Sequence, residues 1–237
     1  MKPIAASFGM LVCQITMDGM LIVVCFASIL ASFFFRFAIP VLEGILCTYF
    51  MKPFILAPYY RLFDMVLTLL TPYMLCFATA MVMLDEYDQN MTGYLAVTPV
   101  RKSGYIVSHL VIPACISAVV SFMLVSLFHL SAWEVPVLLG SSLLACISGF
   151  TVALFLFAFS RNKVEGMAMA KLSGLILFGL PVPFFMNSNW QYLFSPLPSY
   201  WVARFCQEGN VIFFLAALGL SLAYIPWFYG KVIRKII

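Results

Sequence analysis

Residues that could carry out catalysis are few, and their spacing does not favour it. The chain has two histidines, His109 and His129, which stand about 30 Å apart if they lie on one helix with a rise of about 1.5 Å per residue. Neither has a nucleophile or metal ligand at a useful spacing, and no HExxH motif occurs. Ser141 and Ser142 follow Gly140 but have no neighbouring base. We predict no catalytic residue and no metal site, and we interpret both histidines as hydrogen-bonded residues near the ends of helices.

The composition excludes a water-soluble protein. Of the 237 residues, 64% are hydrophobic and only 9% are charged, and the mean hydropathy is +1.06. A soluble domain has about 25% charged residues, so this chain has too few to cover a water-facing surface. A spanning helix takes about 20 apolar residues, which limits the chain to about seven spans. This composition excludes a secreted disulfide module and a large soluble enzyme, and the net charge of only +4 is too small for a surface that binds nucleic acid.

The elements that must position any functional residue are therefore membrane helices. We predict an all-α polytopic membrane protein with about six transmembrane helices, and we expect Pro181 and Pro183 to break the fifth. Residues 1–18 predict an interfacial helix. Residues 187–210 are rich in aromatic residues and proline, which favours an extracellular element that is either a re-entrant hairpin or a surface loop. The first predicted span covers residues 20–35 and extends to residue 42 at most. The other predicted spans are 62–84, 105–130, 135–159, a run that begins shortly before Lys171 and ends near Phe185, and 211–229.

The basic residues predict the orientation of these spans. Lysine and arginine near span ends favour the cytoplasm, and with both termini inside the inner loops hold most of them. The inner set is Lys2, Arg101, Lys102, Arg161, Lys163, Lys171, Lys231, Arg234 and Lys235, and the outer set is Arg36, Lys52, Arg61 and Arg204. The seven cysteines have no CxxC spacing. Cys47 and Cys206 fall on the same outer side, and whether they pair stays open.

Ionisable residues are nearly absent from the centres of the spans. Asp64, Glu134, Arg36 and Lys171 fall near span ends, where a charged head group reaches water at little cost. The centres carry only small polar and sulfur-containing side chains, among them Ser28, Thr68, Ser117, Ser121 and Ser148. A carrier coupled to protons or sodium needs ionisable groups at mid-membrane. This pattern therefore favours energy supplied from the cytoplasmic side.

The long polar stretch 85–103 is the most informative segment. Acidic residues at its start suit the positive end of a helix, and Met91, Tyr94 and Leu95 share one face at the i, i+3, i+4 spacing. Pro99 ends this helix. A cytoplasmic amphipathic helix between the second and third spans predicts a docking element for another protein.

The same stretch resembles the coupling loop of the type-2 ABC transporter permeases. The matching residues are the acidic Glu86, the pair Thr92-Gly93, Leu95, Thr98-Pro99 and the basic pair Arg101-Lys102. The order Thr-Gly departs from the more usual Gly-Thr of that family. The resemblance implies that this loop docks on a cytosolic ATPase, and the residues it assigns to docking are Asp85, Glu86, Met91, Thr92, Gly93, Tyr94, Leu95, Thr98, Pro99, Arg101 and Lys102.

The resemblance also implies the architecture and the partners. Residues 1–237 would form a single transmembrane permease domain of a bacterial plasma-membrane exporter for an amphipathic or hydrophobic cargo such as a drug, a peptide antibiotic or a lipid-like molecule. The first, second and fifth spans would line the path, and a second permease subunit, identical or homologous, would complete it. The sequence contains no Walker A motif, so ATP and Mg²⁺ would be bound by separate ATPase subunits and this chain would need no cofactor. The alternatives are an ion-gradient-driven secondary carrier and a non-transporting membrane scaffold.

Overall fold

The computed structural model describes residues 2–91, 101–186 and 188–236, and within these ranges every regular element is helical. The helices are α1 (Lys2–Met17), α2 (Gly19–Phe50), α3 (Tyr60–Asp88), α4 (Arg101–Ile106), α5 (Ile112–Phe128), α6 (Val135–Phe159), α7 (Lys163–Ser173), α8 (Val182–Phe185), α9 (Pro198–Glu208) and α10 (Val211–Ile236). A π-helical segment, Val107–Val111, joins α4 to α5, and 3-10 helices lie at Ala57–Tyr59, Gly174–Gly179 and Asn189–Phe194.

Five stretches of the described chain are long and apolar enough to cross a membrane. They are Gly19–Phe50, Ala57–Asp88, Ser103–Phe128, Val135–Phe159 and Val211–Lys235. Four of them contain a predicted span, and Ser103–Phe128 matches the predicted span 105–130 except for its last two residues, which confirms an all-α polytopic membrane protein.

The predicted fifth span is not one continuous helix. It consists of α7, the 3-10 helix Gly174–Gly179 and the single turn α8. The prolines at 181 and 183 were expected to cause the break, but the α-helix already ends at Ser173, before a segment with glycine at both ends. Gly179 lies against α9, where an added Cβ would be 2.7 Å from the backbone nitrogen of Tyr200. The narrow 3-10 helix therefore lets the backbone of α9 pack closely on this segment.

The first spanning helix is longer than predicted. α2 continues past residue 42 to Phe50, although Pro40 lies inside it. After α2 the chain turns back through Met51, which has a left-handed φ of 52°. The carboxylate of Glu43 accepts hydrogen bonds from the backbone N–H groups of Ile55 (3.0 Å) and Leu56 (2.7 Å). These bonds give the partly buried donors of the turn an acceptor.

The helix predicted near the N-terminus is present as α1, and Asp18 separates it from α2. The Oδ1 atom of Asp18 accepts a hydrogen bond from Met20 N (2.9 Å) and so caps α2. The placement of α1 at the membrane interface stays a prediction. In the 187–210 segment, α9 buries one face, and Cys206 on that face is 1% exposed and carries a free thiol, as does Cys47.

The centre of the bundle is α3, whose residues 76–84 are all buried. α6 packs on it closely enough that a Cβ on Gly149 would lie 2.8 Å from the carbonyl oxygen of Pro72. Ser121 Oγ of α5 donates a hydrogen bond to Thr68 O of α3 (2.8 Å). Small and hydroxyl-bearing residues of this kind allow close packing between membrane helices. Helices α3, α5 and α6 therefore form a rigid core, around which α2 and α10 lie with much of their surface exposed.

Candidate functional site

Polar and charged side chains concentrate at one end of the bundle, which we call the base. Five parts of the chain meet there: the junction of α1 and α2, the end of α3, the start of α4, the loop between α6 and α7, and the end of α10. The predicted docking loop leaves α3 and enters α4 at this same end. The described residues on both sides of that loop therefore belong to the base.

Glu86 lies inside the base. It occupies the last turns of α3 and is only 4% exposed. Tyr105 Oη of α4 donates a hydrogen bond to Glu86 Oε2 at 2.7 Å, and His109 Nε2 lies 3.5 Å from the same oxygen. The Tyr105 and His109 rings pack together with centroids 4.3 Å apart. A buried carboxylate thus obtains a hydrogen-bond donor and a potential cation, which offset its loss of hydration.

The second nitrogen of His109 extends this network to α1. Ser108 Oγ lies 2.9 Å from His109 Nδ1 and 2.9 Å from Ser7 Oγ. Ser108 and His109 belong to the π-helical segment after α4, and Pro113 explains the wide turn there. Proline has no N–H to bond the carbonyl four residues earlier, which is that of His109. The π turn places Ser108 and His109 between α1 and α3.

These contacts correct the prediction that His109 lacks a partner. Serine, histidine and glutamate here have the residue types of a hydrolytic triad. Ser108 is 0% and His109 1% exposed, so a substrate has no access to the hydroxyl in this conformation. The arrangement therefore fits a buried network that joins α1, α3 and α4. Sequence reasoning missed it because Glu86 and His109 lie 23 residues apart on either side of the loop, with no local pattern to relate them.

A second group of charges holds the start of α7. Lys163 Nζ forms an ion pair with Asp18 Oδ2 (2.6 Å) and lies 3.9 Å from Asp85 Oδ2. The backbone N–H of Lys163 donates to Asp88 Oδ2 (3.1 Å). The hydrogen bond from the ammonium group lowers the pKa of Asp18, although partial burial opposes this shift. One lysine thus connects α7 to the end of α3 and to the junction of α1 and α2.

The end of α10 is attached to the base through Lys235. Its Nζ donates a hydrogen bond to the carbonyl oxygen of Phe157 (2.8 Å) and another to that of Ser160. The same ammonium lies 4.4 Å from the ring centroid of Tyr87. Cations near the end of a helix satisfy carbonyl groups that have no partner within the helix. Lys235 therefore connects α10 to the end of α6.

The structure describes only part of the predicted docking set. Asp85 is partly exposed, Met91 is 41% exposed, and Glu86 faces inward. Glu86 can therefore affect docking only by positioning the loop, not by contact with a partner. Arg101 and Lys102 are the first residues of α4. The other predicted residues lie outside the described ranges: Thr92, Gly93, Tyr94, Leu95, Thr98 and Pro99. The docking role of the set stays a prediction.

The opposite end of the bundle is held by Asp64. This carboxylate, 1% exposed at the start of α3, accepts hydrogen bonds from the backbone N–H groups of Leu130 (2.9 Å) and Ser131 (3.0 Å). The Ser131 hydroxyl (2.8 Å) and the Trp133 indole (2.9 Å) also donate to it. The sequence placed Asp64 near a span end but did not indicate that it holds the connection between α5 and α6.

The described residues contain no group of three or more histidine, cysteine, aspartate or glutamate side chains placed to hold a metal ion. The candidate site is the network of hydrogen bonds and ion pairs at the base.

Comparison with known proteins identifies the family. Residues 12–229 match the family described as fluoroquinolones export permease protein Rv2686c-like. The chain belongs to this family. The match covers all five stretches of spanning length except the C-terminal end of the last, and it confirms the resemblance to ABC-type exporter permeases. The chain is therefore a membrane protein of a family of export permeases.

Two curated relatives agree with this assignment. They are the fluoroquinolones export permease proteins MT2760 of Mycobacterium tuberculosis (strain CDC 1551 / Oshkosh) and Rv2686c of Mycobacterium tuberculosis (strain ATCC 25618 / H37Rv). Each is 32% identical over 157 residues, which is 64% of this chain and 61% of the relative. The matched region thus spans about three fifths of the length of these relatives. No solved structure matches the chain.

Proposed function

We propose that this permease is the membrane subunit of an ATP-driven exporter in the bacterial plasma membrane. Its base faces the cytoplasm, both termini are cytoplasmic, and a cytosolic ABC ATPase docks on the segment 85–103. The observation that carries the proposal is the Glu86–Tyr105 hydrogen bond of 2.7 Å, because it joins the two helices from which the docking loop emerges. A second permease subunit completes the transport unit.

The network at the base gives a physical route from docking to the membrane helices. A force on the loop acts on the end of α3 and the start of α4, which move together because Glu86 binds Tyr105. Ser108 and Ser7 extend the same network to α1. Through Asp85 and Asp88, the end of α3 also holds Lys163 at the start of α7. ATP-driven movement of the partner can thus change the relative stability of two arrangements of the bundle.

The Asp64 contacts hold the opposite end of the bundle together. Two backbone N–H groups, a hydroxyl and an indole donate to one buried carboxylate, and breaking such a set leaves partly buried donors without acceptors. When the base moves, the connection between α5 and α6 therefore stays bound to Asp64. The bundle would pivot about this point, so that its base opens and closes while the outer connection of α5 and α6 stays intact.

The cargo we propose is an aromatic, amphipathic, drug-like molecule. The curated relatives are named for the export of fluoroquinolones, and the apolar, aromatic interior of the bundle suits a similar type of compound. The described spans carry few charged groups away from their ends, which disfavours sugars and inorganic ions as cargo.

Docking is tested by capture of the ATPase. The tagged full chain is purified in mild detergent from its native membrane, and the eluate is assayed for vanadate-sensitive ATPase activity. We expect Leu95→Asp to lose the ATPase, because the change puts a charge on the apolar face of the predicted docking helix. Leu193→Asp is the matched control, since Leu193 is 72% exposed at the other end of the molecule. Equal recovery of ATPase activity with both variants would refute the docking assignment.

One observation favours a second candidate function, an ion-gradient-driven carrier. Glu86 and His109 form a buried acid–base pair within stretches of spanning length, and such groups can bind and release a proton. Reconstituted vesicles separate the two mechanisms. Export that requires ATP and the copurified ATPase supports the exporter, whereas export driven by a proton gradient without ATP supports the carrier.

A further inference from the structure

A cavity of about 300 Å³ lies at the end of the bundle opposite the base. Its walls come from the start of α6, the end of α9 and the start of α10. The stretches of spanning length Val135–Phe159 and Val211–Lys235 both begin beside it. The cavity therefore lies at the level where these two spans meet the membrane surface, and Val211 at its edge is 65% exposed.

An aromatic wall forms the inner side of this cavity. The rings of Phe205 and Phe214 both line it, with centroids 5.3 Å apart. Phe205 packs directly on the backbone of α6, because a Cβ on Gly140 would lie 2.8 Å from its ring. Aromatic rings bury apolar groups, and their electron-rich faces also attract cations. The wall thus suits the apolar part of an amphipathic molecule.

Glu134 is the charged residue of the lining, and it is exposed. Four donors of the connection that contains it bind Asp64 instead. Arg61 packs over the neighbouring Trp133 ring, 5.1 Å from its centroid. Within the described part of the chain, the Glu134 carboxylate takes part in no ion pair and no helix cap. An unpaired carboxylate beside an apolar cavity favours a cationic ligand.

The two helix starts at the rim offer little that would offset this charge. Pro136 in the first turn of α6 has no backbone N–H. At the start of α10 the Oδ1 atom of Asn210 accepts a hydrogen bond from Ile212 N (3.0 Å) and so caps the helix. The rim of the cavity therefore combines one negative charge with an apolar, aromatic interior.

We propose that this cavity binds amphipathic aromatic amines in their protonated form, with Glu134 as the counter-ion. This inference rests on the proposed exporter function and deepens it, because it names a site at the end from which the cargo would leave and a charged group by which the cargo is held there. The site places no demand on the rest of the molecule, so a cargo that also carries an acidic group fits. The cavity lies outside the first, second and fifth spans, which the family resemblance implies for the path.

Binding to the purified chain tests the proposal without any ATPase, so that its failure is distinct from failure of the exporter function. The full chain is placed in phosphatidylcholine nanodiscs and titrated at neutral pH with aminoacridine, which is protonated, and separately with acridine, which is not. Fluorescence anisotropy reports binding, and the signal from empty nanodiscs is subtracted. At low salt we expect aminoacridine to bind about fivefold more tightly, as one exposed ion pair gives. At high salt this preference should disappear, because exposed charges are screened. Equal affinity at low salt would overturn the proposal.

Three variants locate the binding. Glu134→Gln should lower the affinity for aminoacridine to that for acridine, and because Glu134 is exposed the change should leave the fold intact. Val211→Trp fills the cavity and should weaken binding of both probes about tenfold, since their rings can no longer be buried there. Ile212→Trp is the matched control, because Ile212 is 68% exposed and lies outside the lining. A preference for aminoacridine that persists in Glu134→Gln would contradict the assignment of the counter-ion.

The ammonium group of a lipid head group is the competing occupant. The titration is therefore repeated in maltoside detergent, whose head group carries no charge. The preference for aminoacridine in both media supports the proposal. Binding in maltoside but not in nanodiscs would assign the cavity to a lipid head group and would overturn the proposal.

Discussion

Removing one oxygen atom from Tyr105 tests the network at the base. Tyr105 is 2% exposed and donates a 2.7 Å hydrogen bond to the buried Glu86 carboxylate. Tyr105→Phe keeps the ring and its packing on His109 but deletes the donor. A hydrogen bond to a charged group contributes about 1.5–3 kcal/mol to the free energy of unfolding. For a chain of this size each kcal/mol corresponds to about 2–4 °C, so the variant should melt about 3–12 °C lower.

The assay is thermal unfolding in detergent, followed by tryptophan fluorescence. Tyr192→Phe is the control, because Tyr192 is 50% exposed on a 3-10 helix at the opposite end, and we expect it to change the melting temperature by less than about 1 °C. In vesicles that contain the ATPase, Tyr105→Phe should reduce export more than it reduces ATPase binding, because the loop still docks but its two helices are no longer joined. A melting temperature equal to that of Tyr192→Phe would refute this reasoning about the buried bond.

Three further predictions use the same melting assay. Asp64→Ala removes the acceptor of several partly buried donors and should cost about 3 kcal/mol, whereas Glu134→Ala, exposed on the same connection, should be nearly neutral. The pKa of Asp18 is lower in the folded protein than in the unfolded chain, where it is about 3.9. Its ion pair therefore stabilises the fold above that pH, and this stability is lost as the pH falls through the pKa of the folded protein. We expect Asp18→Asn to lose less stability on acidification than the unaltered chain. Gly149→Ala should destabilise the packing of α6 on α3, because its Cβ meets a backbone carbonyl at 2.8 Å, and Gly174→Ala, which has open space, should not.

Much of the fold could be predicted from the sequence. Length and hydropathy determine how many stretches can cross a membrane, because each stretch must satisfy its own backbone hydrogen bonds in lipid. That reasoning predicted the helices of spanning length, the N-terminal helix and the interruption of the fifth span. It did not predict that the break would begin at Gly174, since this depends on the close approach of α9 to Gly179.

The candidate site was predictable only in part. The amphipathic pattern and the motif in 85–103 are local, so the sequence alone indicated a docking loop. The network at its base depends on Glu86 meeting His109 across 23 residues, and on Lys163 meeting Asp18 across 145. No periodicity relates residues so far apart. Glu86 looked from the sequence like an exposed docking residue, and its inward position follows only from the packing of α4 against α3.

The sequence by itself determined that this protein is a helical membrane protein with a motif that resembles the ABC transporter permeases, because composition, span length and local motifs are properties of the chain. Tertiary structure alone decided which polar groups share the buried space between helices. In lipid a buried carboxylate such as Glu86 or Asp64 must find donors nearby, and those donors come from whichever helix the packing brings close.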